Sequence, residues 1–381
     1  MPAEQHAKIL WDTCSDVSRF GMSEQAVFDS LSLAHTDDEF ARWDDFVIRS
    51  EAGHYTQLHG WLSSYRPMGF EPEVLVARGR DGIIGGAAFL SYSLPLLRGK
   101  VFILPHGPVC EGSAQGPRAE ILAALTEHFQ ANNAVFAQVW PHIGRNDLAG
   151  LAEFRGAGFT GPRLFDLHEF SSTELRVDLS KSEEHVLSAA RRNTRYYGRK
   201  SFSTGLTLRL GCTLEDLEES YRLWQENGEY HGYHPRPLST HKIILDRLVA
   251  RNKALLIQAW NGDRLAGSIL VLFAGRQAVY AQGGIRREFK DRLPAYFMHL
   301  SAMRIARERD FLAYDFNNWG TPGTRLFKAG FRPVVQHWAV PATRMYKPVL
   351  CRLLVFGQHQ LRPVLRRVAS WRAGRCASRR A

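Results

Sequence analysis

Two stretches of the chain repeat the same order of predicted elements, and this duplication constrains the fold more than any other feature. The first runs from 73 to 140 and turns at Asp81-Gly82, and the second runs from 254 to 316 and turns at Asn261-Gly262. Each reads strand, glycine turn, strand, strand, helix, strand. Asp-Gly and Asn-Gly favour the tight turn of a hairpin, so the repeat predicts two similar α/β units with mixed sheets.

The two units also end alike, at Phe154–Phe159 and at Phe327–Phe331. In both, a short helix is predicted to stop at a left-handed glycine, Gly158 or Gly330, before an aromatic residue. The predicted organisation is a lead-in at 1–34, a first domain at 35–171, a second domain at 172–345 and a basic, partly helical tail at 346–381.

Composition excludes several classes of protein. Of 381 residues 45% are hydrophobic and 23% are charged, which is ordinary for a globular chain. The five cysteines include no C-x-x-C pair, which argues against a zinc ribbon or a disulfide framework and favours a reducing compartment. Met1 to Phe20 lacks the apolar core of a signal peptide, and no run approaches the ~18–20 apolar residues that span a bilayer. A cytoplasmic location is expected.

The net charge of +11 is concentrated at the C-terminus. Ten of the 49 Lys and Arg lie between Arg344 and Ala381, where no Asp or Glu occurs, so 39 basic residues face 38 acidic ones elsewhere. The tail alternates apolar and basic residues in potential amphipathic helices that break at Pro363. Such a segment suits an anionic membrane surface or a nucleic-acid backbone, and a solvated tail is the alternative.

Short motifs spread across residues 50–335 carry a family resemblance. In chain order they are Gln57 with Trp61, Pro105–Pro108, Arg191–Arg195, Tyr314–Phe316 with Gly320, and Leu326–Phe331. Their layout resembles the acyl-CoA N-acyltransferase (GNAT) fold, duplicated, and more narrowly the Fem family of aminoacyl-tRNA-dependent transferases. The resemblance implies peptide-bond formation between a tRNA-borne amino acid and the free amine of a peptidoglycan precursor or similar peptide. It implies no cofactor and no metal.

The segment 189–200 holds five cations, two tyrosines and no acid. In a helix, Arg191, Arg195 and Arg199 would form one stripe, whose mutual repulsion an anionic partner would offset. Arginine forks match phosphate oxygens and tyrosine rings stack on bases, so we expect phosphate contact here, and the resemblance implies that the phosphates belong to the tRNA or to the precursor. The expected contact residues are Arg191, Arg192, Arg195, Tyr196 and Arg199. The alternative is a solvated helical face with acidic neighbours.

The chemistry is expected around Lys328. The resemblance implies that its ammonium stabilises the oxyanion formed when the amine attacks the ester, and a surface lysine is the alternative. Asp315 would orient the amine, and Asn317 and Asn318 would bind the peptide or the ribose, unless they only serve a turn. On neighbouring elements, the further candidate ligands are Tyr280, Gln282, Tyr230 and Arg236.

The segment Glu229–His234 is interpreted as a loop lining the acceptor channel rather than a metal site, because Gly232 and Pro235 interrupt any helix. Tyr65 stands where Fem proteins often have a phosphate-binding lysine, four residues after Trp61. This departure leaves room for a peptide-antibiotic intermediate as acceptor.

Two other functions stay open. An acyl-CoA-dependent N-acyltransferase would share the fold, but 283–294 lacks the spaced glycines that bind pyrophosphate at a helix start. A non-catalytic RNA- or membrane-binding protein would rely on the basic tail.

Overall fold

The computed structural model describes residues 28–95, 98–111, 117–164 and 170–354. The strands are β1 (Ser30–Leu33), β2 (Phe70–Gly79), β3 (Gly82–Leu94), β4 (Gly99–Leu104), β5 (Val109–Cys110), β6 (Ala134–Val139), β7 (Thr173–Asp178), β8 (Thr207–Gly211), β9 (Ala254–Asn261), β10 (Arg264–Ala274), β11 (Gln277–Ile285), β12 (Ala313–Asp315), β13 (Val334–His337) and β14 (Ala342–Met345). The α-helices are α1 (Asp37–Arg49), α2 (His59–Ser63), α3 (Arg118–Ala131), α4 (Leu148–Gly156), α5 (Glu183–Ala189), α6 (Arg192–Ser201), α7 (Leu214–His231), α8 (Leu238–Ile244), α9 (Pro294–Glu308) and α10 (Pro322–Gly330). Short 3-10 turns occupy Tyr55–Gln57, Arg66–Met68 and Arg287–Arg292, and a π-turn occupies Leu245–Val249.

The strands form two seven-stranded sheets with matching order. The first runs β1-β2-β3-β4-β6-β14 with β5 beside β3, and the second runs β13-β7-β12-β11-β10-β9-β8. In each unit the hairpin strands pair antiparallel, and the strand after the crossover helix pairs parallel, as β6 with β4 and β12 with β11. The predicted element order of both units is confirmed.

After each unit, one strand joins the sheet of the other unit. β7 follows the first unit in the chain and pairs antiparallel with β12, whereas β14 follows the second unit and pairs antiparallel with β6. The halves are therefore connected by a reciprocal exchange of strands. β14 lies inside the predicted second domain but belongs to the first sheet, and the domain boundaries stay a prediction.

The backbone angles of the glycines agree with both predicted hairpin turns but with only one of the two predicted helix ends. Gly82 and Gly262 have positive φ, as the predicted hairpin turns require. Gly158 also has positive φ after α4, but Gly330 does not, and Arg332 takes the left-handed conformation instead. The prediction for Gly330 was wrong. A Cβ there would lie 2.1 Å from the Thr194 hydroxyl, so glycine is required by close packing against α6.

The tail prediction falls mostly outside the described residues. Residues 348–354 are helical, and 355–381 are not described. No helix in the described part of the chain combines the length and apolarity that a bilayer crossing requires.

One apolar core lies between the halves and draws on both. Trp43 and Trp61 of the first half belong to the same buried cluster as Trp224 and Leu248 of the second. Gln57 anchors the first-half side of this core. Its amide donates to the carbonyls of Ala88 and Pro105 and accepts from the N–H of Ala88. Two motifs of the family resemblance, Gln57 and Pro105–Pro108, are thus in direct contact.

Replacing Gln57 with leucine is expected to destabilise the fold by about 3–5 kcal/mol, because three buried backbone groups lose their partner at about 1–3 kcal/mol each. Denaturant unfolding measures this free energy. Gln130→Leu, on the exposed face of α3, is the matched control and should change stability by about 0.5 kcal/mol or less. Equal effects of the two variants would contradict the anchoring role.

Candidate active site

Lys328 lies in the last turn of α10 and only 4% of it is exposed. Its Nζ donates to the carbonyl oxygens of Phe316 (2.7 Å) and Asn318 (2.6 Å) and lies 5.2 Å from the ring centroid of Tyr280. Burial lowers the pKa of Lys328 to about 8, although nearby Asp315 acts in the opposite direction. Arg155, which follows Phe154 in the first unit, is exposed. The buried cation is therefore a feature of the second half.

Asp315 ends β12 beside Lys328 and holds the turn that follows. Its Oδ1 accepts from the N–H groups of Leu175 (2.7 Å) and Asn317 (2.8 Å). Burial, followed by the charge of Glu174, raises the pKa of Asp315 to about 7. Burial also opposes the ionisation of Glu174, but hydrogen bonding and positive charge around it lower the pKa of Glu174 to about 2. Glu174 therefore carries the charge of this buried pair.

Sequence reasoning missed a histidine cluster at the junction of the two sheets. The Nε2 atoms of His54 and His142 lie 3.5 and 3.3 Å from the same Glu174 oxygen, and the tilted rings of His54 and His106 have centroids 3.9 Å apart. Burial keeps the pKa of His54 well below its usual value and lowers that of His106 to about 4. Their other ring nitrogens bond to Thr56 and to backbone carbonyls, and no metal-binding group is found among the described residues. The cluster joins the halves close to the turn after Asp315.

A further unpredicted residue, His299 on α9, lines the Lys328 site. Its Nδ1 is 2.7 Å from the hydroxyl of Tyr314, and its ring lies 4.8 Å from that of Tyr280. Burial and the charge of Lys328 lower the pKa of His299 to about 3, so it is neutral. The signal in the sequence was weak, because a single histidine in an apolar helix is most often a packed core residue.

Tyr280 and Gln282, predicted together, face different neighbours. The β10–β11 register shifts between Leu270 and Val271, opposite the intervening Ala281. Tyr280 consequently packs toward His299, whereas Gln282 forms a 2.9 Å hydrogen bond with His241. Of these two residues, Tyr280 is the one brought to Lys328.

Arg236 connects the second half to the first. Its guanidinium lies over the rings of Trp61 (4.4 Å) and Tyr65 (4.8 Å), and its Nη1 donates to the Ser64 hydroxyl at 3.0 Å. Tyr65, which stands where Fem proteins often have a lysine, thus supports Arg236 by stacking against its guanidinium. Tyr230 lies apart from this contact, exposed at the end of α7 under the guanidinium of Arg287.

The predicted arginine stripe lies on the surface. Arg191 caps the start of α6, and its N–H donates to the carbonyl of Gly330, in the helix that carries Lys328. The remaining cations border an open depression of about 500 Å³, lined by Arg192, Arg195, Tyr196, Arg199, Lys200 and Ser203. One carboxylate, Glu184, pairs with Arg199 on this surface, and Tyr196 is 59% exposed. The helix thus offers cations and an aromatic ring to a partner.

Two family models match long segments of the chain. Residues 36–154 match the FemAB family model, and residues 188–328 match the model of the acetyltransferase (GNAT) domain. Lipid II:glycine glycyltransferase of Staphylococcus aureus (strain MRSA252) is 23% identical in an alignment of length 347. The alignment covers 72% of this chain and 82% of the relative. The predicted resemblance to the Fem family is therefore confirmed. The predicted enzyme class, an aminoacyltransferase, is confirmed at the level of this family.

Solved structures support the predicted fold. FemX superposes with a TM-score of 0.73 at 19% identity and covers 85% of this chain and 100% of its own. The C-terminal domain of a putative lysylphosphatidylglycerol synthetase from Agrobacterium fabrum gives a TM-score of 0.54 at 15% identity, over 84% of this chain and 96% of its own. The predicted fold of two tandem GNAT-like domains is confirmed, whereas the individual site residues stay predictions.

Proposed function

We propose that this protein forms a peptide bond between the amino acid of an aminoacyl-tRNA and the free amine of a peptide acceptor of the peptidoglycan-precursor type. The observation that carries the proposal is the buried ammonium of Lys328 at the turn 315–318, in a family whose relatives include a lipid II:glycine glycyltransferase. A peptide-antibiotic intermediate with the same free amine is an alternative acceptor.

The donor ester is already activated, so the reaction requires charge stabilisation rather than an energy source. The amine nitrogen attacks the ester carbonyl, the carbon–oxygen bond to the ribose breaks, and the amine proton passes to the departing ribose oxygen. Lys328 has three N–H donors, and its acceptors among the described residues are the two carbonyls of Phe316 and Asn318. The third donor is assigned to the developing oxyanion, where a desolvated cation is most effective.

The two substrates are assigned to different surfaces. The cations of α6 bind the phosphates of the tRNA, and Tyr196 offers a ring for an unpaired base. Arg236, held by Trp61 and Tyr65, faces the acceptor, together with Asn317 and Asn318. Peripheral membrane contact through the tail would bring the protein to a lipid-linked acceptor.

The start of α9 does not favour coenzyme A as donor. Its cap is Leu293 with positive φ, and its first residue is Pro294, which lacks the N–H that a pyrophosphate would use. The preceding turn is also fixed, because the hydroxyl of Thr204 donates to the carbonyl of Arg292. The GNAT fold is therefore compatible with an acyl-CoA donor, but the start of α9 is not suited to binding its pyrophosphate.

The proposal is tested by mass spectrometry of acceptors incubated with the protein and a mixed aminoacyl-tRNA pool. Lipid II and its soluble nucleotide-linked precursor serve as acceptors, and uncharged tRNA and acetyl-coenzyme A serve as control donors. The expected product is heavier by one amino-acid residue and forms only with charged tRNA. Acetylation by acetyl-coenzyme A, with no aminoacyl product, would favour the alternative.

The rate of transfer is expected to fall as pH rises above about 8. The pKa of Lys328 is lowered to about 8 from 10.5, so its cation is lost as pH passes that value. The acceptor amine reacts only when neutral, so the rate should first rise with pH and then fall. In Lys328→Arg the side chain stays charged, and the residual activity should show no alkaline decline. A wild-type rate that keeps rising well beyond the pKa of Lys328 would contradict the role.

A further inference from the structure

The turn 315–318 sets where the Lys328 ammonium lies. The two carbonyls that accept from Nζ belong to Phe316 and Asn318, the residues on either side of Asn317. Asn317 has φ of 61°, a left-handed conformation that asparagine tolerates better than most residues, and hydrogen-bond contacts hold it there. Rotation of the backbone at this residue would move both carbonyls and the ammonium with them.

One of those contacts comes from the first half of the chain. The side-chain Nδ2 of Asn317 donates to the hydroxyl of Tyr55 at 3.1 Å. Tyr55 is 2% exposed and packs against the rings of His54 and Trp61. It shares its 3-10 turn with Gln57, which is anchored to β3. The hydroxyl is therefore presented to Asn317 from a rigid element.

We propose that Tyr55 is a positioning residue for the Lys328 site, through which the first half holds the turn 315–318 in its working conformation. This inference rests on the proposed function of Lys328. It also gives the first half a role in catalysis. The first half has no buried cation at the position that matches Lys328, since Arg155 is exposed there.

The test compares Tyr55→Phe with Tyr346→Phe, which removes a tyrosine hydroxyl that donates to the Thr126 carbonyl away from the site. In Tyr55→Phe, kcat is expected to fall about tenfold, a modest loss for a misplaced catalytic group, while KM for aminoacyl-tRNA changes less than about twofold. The alkaline decline should shift to higher pH, because a relaxed turn lets water reach Lys328. Tyr346→Phe should leave kcat and the pH profile unchanged. Equal effects of the two variants, or an unshifted profile in Tyr55→Phe, would overturn the proposal.

A second measurement does not depend on activity. Lysine side-chain NMR, with Lys328→Arg used to assign the signal, follows the titration of Lys328 in wild type, Tyr55→Phe and Asn317→Ala. The proposal predicts that both substitutions raise the pKa and that the double variant resembles either single one. Unchanged or fully additive shifts would overturn it. If wild type transfers no amino acid, the proposed function fails, and this titration still decides whether Tyr55 positions the lysine.

Discussion

Lys328→Met is expected to lower kcat about 100–1000-fold while the Kd for aminoacyl-tRNA changes less than about threefold. Lys328 is buried and its ammonium donates to two carbonyl oxygens, so we expect it to act on the oxyanion rather than on the outer surface proposed to bind RNA. Methionine keeps the apolar stem but removes all three donors. Single-turnover kinetics and fluorescence anisotropy with labelled tRNA separate the two effects.

Loss of the lysine also leaves the carbonyls of Phe316 and Asn318 without their donor, at about 1–3 kcal/mol each. Thermal unfolding must therefore accompany the kinetics, so that rates are compared below the unfolding transition. Lys181→Met, at an exposed position before α5, is the matched control. An equal loss of tRNA affinity and of kcat in Lys328→Met would assign the residue to docking instead of chemistry.

Reversing two charges on α6, with Arg195→Glu and Arg199→Glu together, is expected to weaken tRNA binding at least about 100-fold. Each side chain borders the same depression, so the double variant places two carboxylates where phosphates are expected. The slope of the logarithm of the binding constant against the logarithm of salt concentration should become less negative by about 1–2. Each phosphate that the protein no longer neutralises removes nearly one unit from this slope. Titrations at several salt concentrations measure both quantities.

The control for this charge reversal is Arg80→Glu, an exposed position at the β2–β3 turn of the first half. It should alter affinity only slightly, because it changes the net charge away from the depression. Similar losses in both variants would indicate a general effect of charge, and full affinity in the α6 variant would place the RNA elsewhere.

The repeated unit was predictable because its signals are local. Apolar runs, the Asp81-Gly82 and Asn261-Gly262 turns and the helix between strands each depend on neighbours in the chain. The exchange of β7 and β14 was not predictable in this way, because each strand pairs with a partner from the other unit. Short strands such as these two, of six and four residues, carry little pattern to show which sheet they join.

The neighbourhood of Lys328 and Asp315 in the candidate site was predictable for the same reason. Lys328 and Asp315 lie in one short segment, and the family resemblance carries both. The contact between Tyr55 and Asn317 spans 262 residues and leaves no trace in either local pattern. Glu174 was also missed, because a single acid in a strand gives no indication that it will be buried beside a group of histidines.

In the proposed reaction, the aminoacyl group of an energy-rich ester on tRNA is transferred to an amine at the Lys328 site. A single-turnover reaction with radiolabelled aminoacyl-tRNA tests it most directly, with label followed on the RNA and in the acceptor peptide of the same sample. We expect label to leave tRNA and enter the acceptor one for one, and only when the acceptor amine is free. Label that leaves tRNA equally fast with the amine blocked, or that never reaches the acceptor, would contradict the account.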